Sequence, residues 1–458
     1  MSRHRNAHSA AILRRGNTIS GGEVRRNRTT KAAGAAMKGS AMQSATIKGA
    51  TMALVLLTGL NLMNYLDRYI LPGVQPLVQR EFGVNDQRMG SLTFWFFLTY
   101  LLAAPMTGWL GDRFPRKPLI VAGALFWSIV TLFTATVHTF FALNLRHAAL
   151  GIGEASFGIF APALLSDFYP EAQRNRILTI FYMAIPVGAA MGYVAGGLLG
   201  GMYGWRAPFY VSSVPGIAIA LLIWMLMREP ARGASEHLKA TPDRSTVLGL
   251  ARNPAYLYAT LGMAMVVFSL GGISAWMPTF LNRLGGYSLG RAGLMLGAAT
   301  AIGGLLGTGV GGWIAQRWLR TNHRALYLIS AWSALLAVPP ALLAFFGPRW
   351  AMVPGIAVAE FCIFLGSGPL NAAIVNAVSA SIRSTAIAIE LFLIHALGDA
   401  PSPRLIGAIS DASNLRLGLA LTLATMLAGA VLLFAGARHA PEIPEADTNV
   451  ARAKAESV

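Results

Sequence analysis

The chain has 458 residues, 55% of them hydrophobic and only 12% charged, with a formal net charge of +18. That is more apolar surface than a soluble core of this length can hide, so a membrane is the expected solvent. The positive charge is spread along the chain instead of forming one basic patch, which excludes the nucleic-acid partner that such a charge would otherwise suggest.

Residues 1–48 carry ten Lys and Arg against one acid, Glu23, and lack the apolar stretch of a cleavable secretory signal. They read as a basic, disordered cytoplasmic tail lying on anionic membrane lipid, with a start at Met37 or Met42 as the alternative. Apolar windows of about 20 residues, the length a helix needs to cross a hydrocarbon core of about 30 Å, then recur along the chain. They predict twelve helices, at 50–73, 89–110, 118–137, 141–166, 177–199, 207–227, 255–281, 291–314, 325–345, 350–375, 384–405 and 416–437. The expected class is therefore an all-α polytopic membrane protein. Of the 37 Lys and Arg, 27 fall on one side of the membrane if both termini share that side, and 8 fall on the other. This is the positive-inside asymmetry, and it predicts a multi-pass protein of the cell membrane with both termini cytoplasmic. Arg68 and Arg146 fall inside predicted helices. The one cysteine, Cys362, rules out a disulfide framework and a Cys-based metal cluster, so no metal is expected.

The loop after the second helix reads GWLGDRFPRK, with Gly108, Asp112, Arg113, Arg116 and Lys117. The loop after the eighth reads GWIAQRWLR, 204 residues later, with Gly312, Gln316, Arg317 and Arg320. Adding the same offset to the first helix lands in the seventh. An internal duplication follows: a six-helix bundle over 49–227, a cytoplasmic linker over 228–254, a second bundle over 255–437 and a tail over 438–458. The first loop resembles the signature of the major facilitator superfamily, with Pro115 where glycine is commoner. The resemblance implies the major facilitator fold, two pseudo-symmetric bundles around a central site, and a cytoplasmic gate in which Asp112 meets a helix N-terminus while the arginines hold the turn. Gln316 replaces the acid in the second copy, so the stronger latch is expected on the first side.

Glycines recur every four residues at Gly188, Gly192, Gly196 and Gly200 in the fifth helix, and at Gly303, Gly307 and Gly311 in the eighth. Such spacing lets two helix backbones approach closely. In the superfamily the fifth and eighth helices meet across the two halves, so these ladders are expected at a sliding interface between them.

A charge at the centre of a membrane helix costs about 2.5–3.5 kcal/mol on insertion scales, so each one needs a reason. The candidates are Asp67 and Arg68, Arg146 and Glu154, Glu360, Glu390, and His395 with Asp399. Each could also belong to a self-neutralising structural pair. Arg146 and Glu154 lie eight residues apart, about 12 Å of helix rise and close to one face. They cannot pair directly, and Asp67 and Arg68 could complete a cluster with them. Desolvation raises a carboxyl pKa and a neighbouring arginine lowers it, so such a cluster could load and release a proton as the surroundings change. Glu360 lies near the repeat equivalent of Glu154, as a second titrating group or a relic of duplication.

The stretches NYLDRYIL (64–71), RHAALGIGEASFGIFAPALLSDFYP (146–170), FYMAIPVGAAMGYVAGG (181–197) and HALGDAPSPRLIGAISD (395–411) resemble the Spinster branch of the superfamily. The resemblance implies a proton-linked transporter of a lysophospholipid or sphingoid lipid. It assigns function to Glu154 of the GEAS string and to Asp67 and Arg68. The charge cluster itself makes Glu154 the expected proton carrier, with Arg146 and the Asp67–Arg68 pair setting its affinity. The expected driving force is a proton gradient with no cofactor, and the expected partners are membrane lipids and an amphipathic small-molecule substrate met by a monomer. A drug-like molecule or small organic anion is the alternative cargo, because fold does not specify cargo. An embedded enzyme using His395 and Asp399 is disfavoured, since the sequence has no H-E-x-x-H, no G-x-S-x-G and no phosphate-binding G-x-x-x-x-G-K-[ST].

Overall fold

The computed structural model describes residues 49–169, 171–230, 249–379 and 382–442. The expected tail 1–48, linker residues 231–248 and residues 443–458 lie outside the described residues. The helices are α1 (Ala50–Phe82), α2 (Asp86–Arg113), α3 (Arg116–Thr134), α4 (Phe140–Phe168), α5a (Glu171–Tyr182), α5b (Ala184–Tyr203) and α6 (Ala207–Leu226). The second half holds α7 (Pro254–Arg283), α8 (Leu289–Trp318), α9 (Ala325–Phe346), α10 (Met352–Asn376), α11a (Arg383–Ile394), α11b (Ser402–Ala412) and α12 (Leu415–Gly436). The fifth crossing breaks at Met183 between α5a and α5b, and the eleventh passes through a π-turn at His395–Asp399.

Among the described residues, ten helical spans are long and apolar enough to cross a membrane. The other two crossings fall short of that mark for visible reasons. Helix α1 carries Asp67, Arg68, Arg80 and Glu81, and α11 is divided by its π-turn. Turn chemistry sets several boundaries. The side chains of Asn85, Thr139, Asn253, Ser288 and Asn414 each accept a hydrogen bond from a backbone N–H three residues on, capping α2, α4, α7, α8 and α12. Gly83 ends α1 with φ of 59°, a conformation that glycine adopts without a Cβ clash.

The packing repeats with an offset of six crossings. In the first half α4 packs on α2 and α3, and α3 on α6; in the second α10 packs on α8 and α9, and α9 on α12. The halves meet through α5b against α8 and α2 against α11b. An even number of crossings brings both ends of the described chain to one face, here the terminal face; the other is the distal face.

The apolar core follows the same division. One cluster joins both halves on the distal side, with Ile70, Val74 and Tyr193 from the first and Ile273, Trp276 and Ile406 from the second. Toward the terminal face there is instead a cluster centred on each half, one around Leu57, Trp127 and Phe157, joined only by Ala400 from the second half, and the other around Tyr256, Tyr327 and Ile374. The halves are thus sealed against each other distally and packed separately nearer the termini.

The glycine ladders do different work from that expected. A Cβ on Gly192 would meet Leu66 O at 2.5 Å and Tyr69 Cβ at 2.6 Å, and one on Gly196 would meet Ile70 O at 2.8 Å, all on α1. Gly188 and Gly200 also face α1. Gly307 approaches Phe361 O at 2.6 Å, and Gly303 and Gly311 also lie on α10. Both ladders therefore hold helices together inside one half. The seam between halves uses other glycines: Gly197 lies against Leu289 and Gly293, Gly297 against Ala190 and Val194, and Gly304 against Pro186.

Candidate functional site

Between the halves, at mid-depth, lies a cavity of about 250 Å³. Helical spacing aims its lining side chains. Positions 65, 68, 69 and 72 of α1, 93, 96 and 97 of α2, and 147, 150 and 154 of α4 follow the three- and four-residue intervals of a single helix face. The second half contributes Gly271 and Ser274 of α7, Thr300 of α8, Phe364 of α10, and His395 and Asp399 from the π-turn of α11. A π-turn in a helix that lines such a cavity is a frequent mark of function.

The charged centre is Arg68 with Glu154. Arg68 Nε donates to Glu154 Oε2 at 2.5 Å, and the Glu154 side chain is 1% exposed. The guanidinium also lies 5.1 Å from the ring centres of Tyr65 and Phe96 and 5.7 Å from that of Tyr100, so aromatic faces replace much of its hydration. Glu154 Oε1 is buried beside Asn64, without a hydrogen bond of standard geometry among the described residues. Across the cavity, His395 Nδ1 lies 2.9 Å from Asp399 Oδ1, while the imidazole stacks on Phe97 with ring centres 5.0 Å apart. The cavity therefore faces two acid–base pairs, one from each half.

Other charged residues singled out in the sequence lie elsewhere. Arg146 does not join Glu154: its guanidinium turns away from the cavity and donates to Phe133 O and Thr136 Oγ1 at the end of α3. Asp67 is absent from the lining, because it projects from the side of α1 that faces α6. It is buried beside Ser212 of α6, and both its oxygens lack a hydrogen bond of standard geometry. Glu360 is one layer behind the wall, accepting from the Thr300 hydroxyl at 3.0 Å. Glu390 is buried in α11a near Tyr256 and does not line the cavity.

The signature loop is tied within its own half. Arg116 Nη1 pairs with Asp167 Oδ2 at 2.6 Å, and Glu229 accepts the backbone N–H groups of Arg116 and Lys117 at 2.6 and 3.1 Å, capping α3. Arg113 lies over Trp109, 4.0 Å from the ring centre, and Lys117 lies over Trp224. No atom outside its own helix would crowd a Cβ on Gly108 within 4 Å. The Asp112 side chain lies outside the described residues.

The comparisons with known proteins bear on this arrangement. The model of the Major Facilitator Superfamily matches residues 57–403. Protein spinster homolog 1 of Homo sapiens is 37% identical over 381 residues, covering 77% of this chain and 71% of that protein. The chain belongs to the Spinster family of major facilitator transporters. Sphingosine-1-phosphate transporter SPNS2 of Danio rerio is 34% identical over 379 residues, covering 77% of this chain and 74% of that one. A crystal structure of a bacterial homolog to the human lysosomal transporter Spinster, inward-facing and unoccupied, has the same fold, with a TM-score of 0.77 at 22% identity over 87% of this chain and all of that one. As a Spinster family member the chain is a multi-pass membrane transporter and not an enzyme.

Sequence reasoning missed how the distal face is closed in this Spinster protein. Arg283 at the end of α7 donates to Asp86 Oδ2 and Oδ1 at 2.8 and 2.7 Å, and to Gln79 Oε1 at 2.6 Å. Ser410 donates to Asp86 at 2.6 Å, and Asp411 accepts the backbone N–H groups of Asp86 and Gln87 at 2.9 and 2.8 Å. Asp411 thus caps a helix of the opposite half, where a negative charge suits the helix dipole. These residues stand up to 325 positions apart, so no local pattern relates them. Removing Arg283 leaves Asp86 with only the neutral Gln79 and Ser410 side chains as partners. Charge-assisted hydrogen bonds contribute about 1.5–3 kcal/mol, so Arg283→Ala should move the conformational equilibrium toward a distally open form by roughly ten- to a hundredfold. Spin-label distances between the distal ends of α2 and α11b should show a longer population, and an unchanged distribution would count against the lock.

Proposed function

We propose that the chain is a proton-coupled secondary transporter that moves a single-chain amphipathic lipid, a lysophospholipid or a sphingoid lipid, by alternating access. The observation that carries the reading is the buried Arg68–Glu154 pair in a cavity between two halves that are locked together on the distal side. A carboxylate beside a fixed guanidinium is the simplest proton-responsive element such a cavity can hold. Protonation of Glu154 removes the attraction and frees Arg68 to meet an anionic head group, while deprotonation restores the pair. The proton gradient is then the driving force, and no cofactor is required.

A second observation supports an amphipathic cargo. On the other side of the α5b–α8 seam lies an open, apolar groove of about 620 Å³ lined by Met63, Leu66, Met191, Val194 and Leu198, with Gly297 from the second half. Ala189 lines the cavity and Ala190 the groove, as do Thr300 and Ala301, so one helix layer separates the charged space from the apolar one. A head group and a single alkyl chain match those two surfaces. The charge distribution supports cytoplasmic termini in the cell membrane, which makes the terminal face the cytoplasmic one. A monomer suffices, because a single chain supplies every wall of the cavity. The test is uptake into proteoliposomes of a lysophospholipid, sphingosine 1-phosphate, a sugar and a small organic anion, each with and without a pH difference. Accumulation of the lipids alone, dependent on the gradient, is the expected result; accumulation of the soluble anion alone would favour the other cargo.

A further inference from the structure

His147 is the one cavity-lining residue of α4 whose polar group the ion-pair mechanism does not use. It is 7% exposed, it lines the cavity, and it lies on the same helix face as Leu150 and Glu154. Its ring centre is 5.6 Å from that of Phe96, and the other approach to Phe96 is taken by the Arg68 guanidinium at 5.1 Å. The hydrogen bonds of neighbouring Arg146 to the end of α3 fix the rotation of α4 that turns His147 inward. The charged and titratable groups around the cavity are Tyr65, Arg68 and Tyr69 of α1, Tyr100 of α2, Glu154 of α4, and His395 with Asp399 of α11. The two carboxylates among them, Glu154 and Asp399, are engaged with Arg68 and His395. Seven residues of helix put His147 about 10 Å from Glu154 toward the distal face.

We propose that His147 contacts the cargo directly and determines its specificity, its uncharged imidazole exchanging a hydrogen bond with a hydroxyl or phosphoryl oxygen of the lipid head group while the Arg68–Glu154 pair meets the other end of that head. An imidazolium there would share the Phe96 ring with Arg68 and have no free carboxylate, so the group serves as a neutral hydrogen-bonding partner and not as a proton carrier. A polar group that lines a largely apolar cavity favours ligands that can exchange a hydrogen bond with it over those that cannot. The inference rests on the cavity being the lipid site.

The test measures binding and proteoliposome uptake of 1-palmitoyl-lysophosphatidylethanolamine by the full chain, its His147→Phe variant and its His147→Gln variant. The ring of Phe keeps the volume and removes the hydrogen bond, whereas Gln keeps a donor and an acceptor. His147→Phe should raise both Kd and KM about tenfold, and His147→Gln should stay within about threefold of the unaltered protein. The pH dependence of uptake should be the same in all three. Equal affinity in the Phe variant and the unaltered protein would overturn the assignment, as would unchanged affinity with loss of gradient-driven uptake, the signature of a proton relay. If the Phe variant does not fold, a tenfold weakening in His147→Leu or a lack of rescue by His147→Gln decides the matter in the same assay. Failure of the unaltered protein to bind the lysolipid at all would overturn the lipid reading together with this one, which is a distinguishable result.

Discussion

Reconstituted Glu154→Gln protein should exchange lipid across the membrane but lose at least tenfold of the accumulation that an imposed pH difference drives. The glutamine keeps the shape of a protonated glutamic acid, and its amide oxygen can still accept from Arg68 Nε, which in the native protein donates to Glu154 Oε2 at 2.5 Å. What the variant cannot do is change its charge. Exchange needs only that the halves rock around a loaded cavity, whereas accumulation needs a group that carries a proton on one leg of the cycle. Arg68→Ala is a harsher change, because it leaves Glu154, 1% exposed, as an uncompensated buried charge. Breaking a buried pair in this way costs about 3–5 kcal/mol, so that variant should lose stability as well as transport. Glu154→Gln protein that still concentrates lipid against its gradient would move attention to Glu360, one hydroxyl away from the cavity through Thr300.

Gly293→Leu and Gly192→Leu should fail in opposite ways. A Cβ on Gly293 would collide with Tyr193 O and stand 3.1 Å from Gly197 Cα, both on the facing half, so a leucine there wedges the seam between α5b and α8. Each half can still fold around its own terminal-side cluster. The protein should therefore express and melt near the normal temperature while transport falls more than tenfold. A leucine at Gly192 instead collides with Leu66 O and Tyr69 Cβ of α1, inside the first half. Overpacking of this kind costs about 1–3 kcal/mol or more, and its readout is reduced expression and a lowered Tm. Thermal stability in detergent, measured beside transport in vesicles, separates the two. A stable, inactive Gly192→Leu protein with an unstable Gly293→Leu protein would contradict this division of labour.

The sequence made the crossings, the duplication and the family legible because each depends on a local property: window length, a repeated loop, or strings such as GEAS and GDAPSP. Glu154 and Arg68 were legible as well, since a charge inside an apolar window announces itself. Which charges meet was not. Arg146 was expected to share a cluster with Glu154, Asp67 and Arg68 because it lies close to the same helix face as Glu154, but its long side chain reaches the end of α3 instead, and the adjacent His147 occupies the inward position. The interval 147, 150, 154 could have revealed this, because it is the three- and four-residue spacing of one face. The glycine ladders showed that a backbone comes close, but a four-residue period says nothing about which helix approaches. The lock of Asp86, Arg283 and Asp411 had no local signal, since its members sit at the ends of three helices far apart in the chain, which only the folded halves bring together.

The central claim is that the Arg68–Glu154 pair trades a proton for cargo. The direct measurement is internal pH, read with a trapped dye in proteoliposomes that start without a pH gradient, on addition of lysophosphatidylethanolamine. The account predicts a lipid-dependent pH change with the unaltered protein and none with Glu154→Gln, although both pass labelled lipid. Lipid entry through the unaltered protein with no proton flux would contradict it.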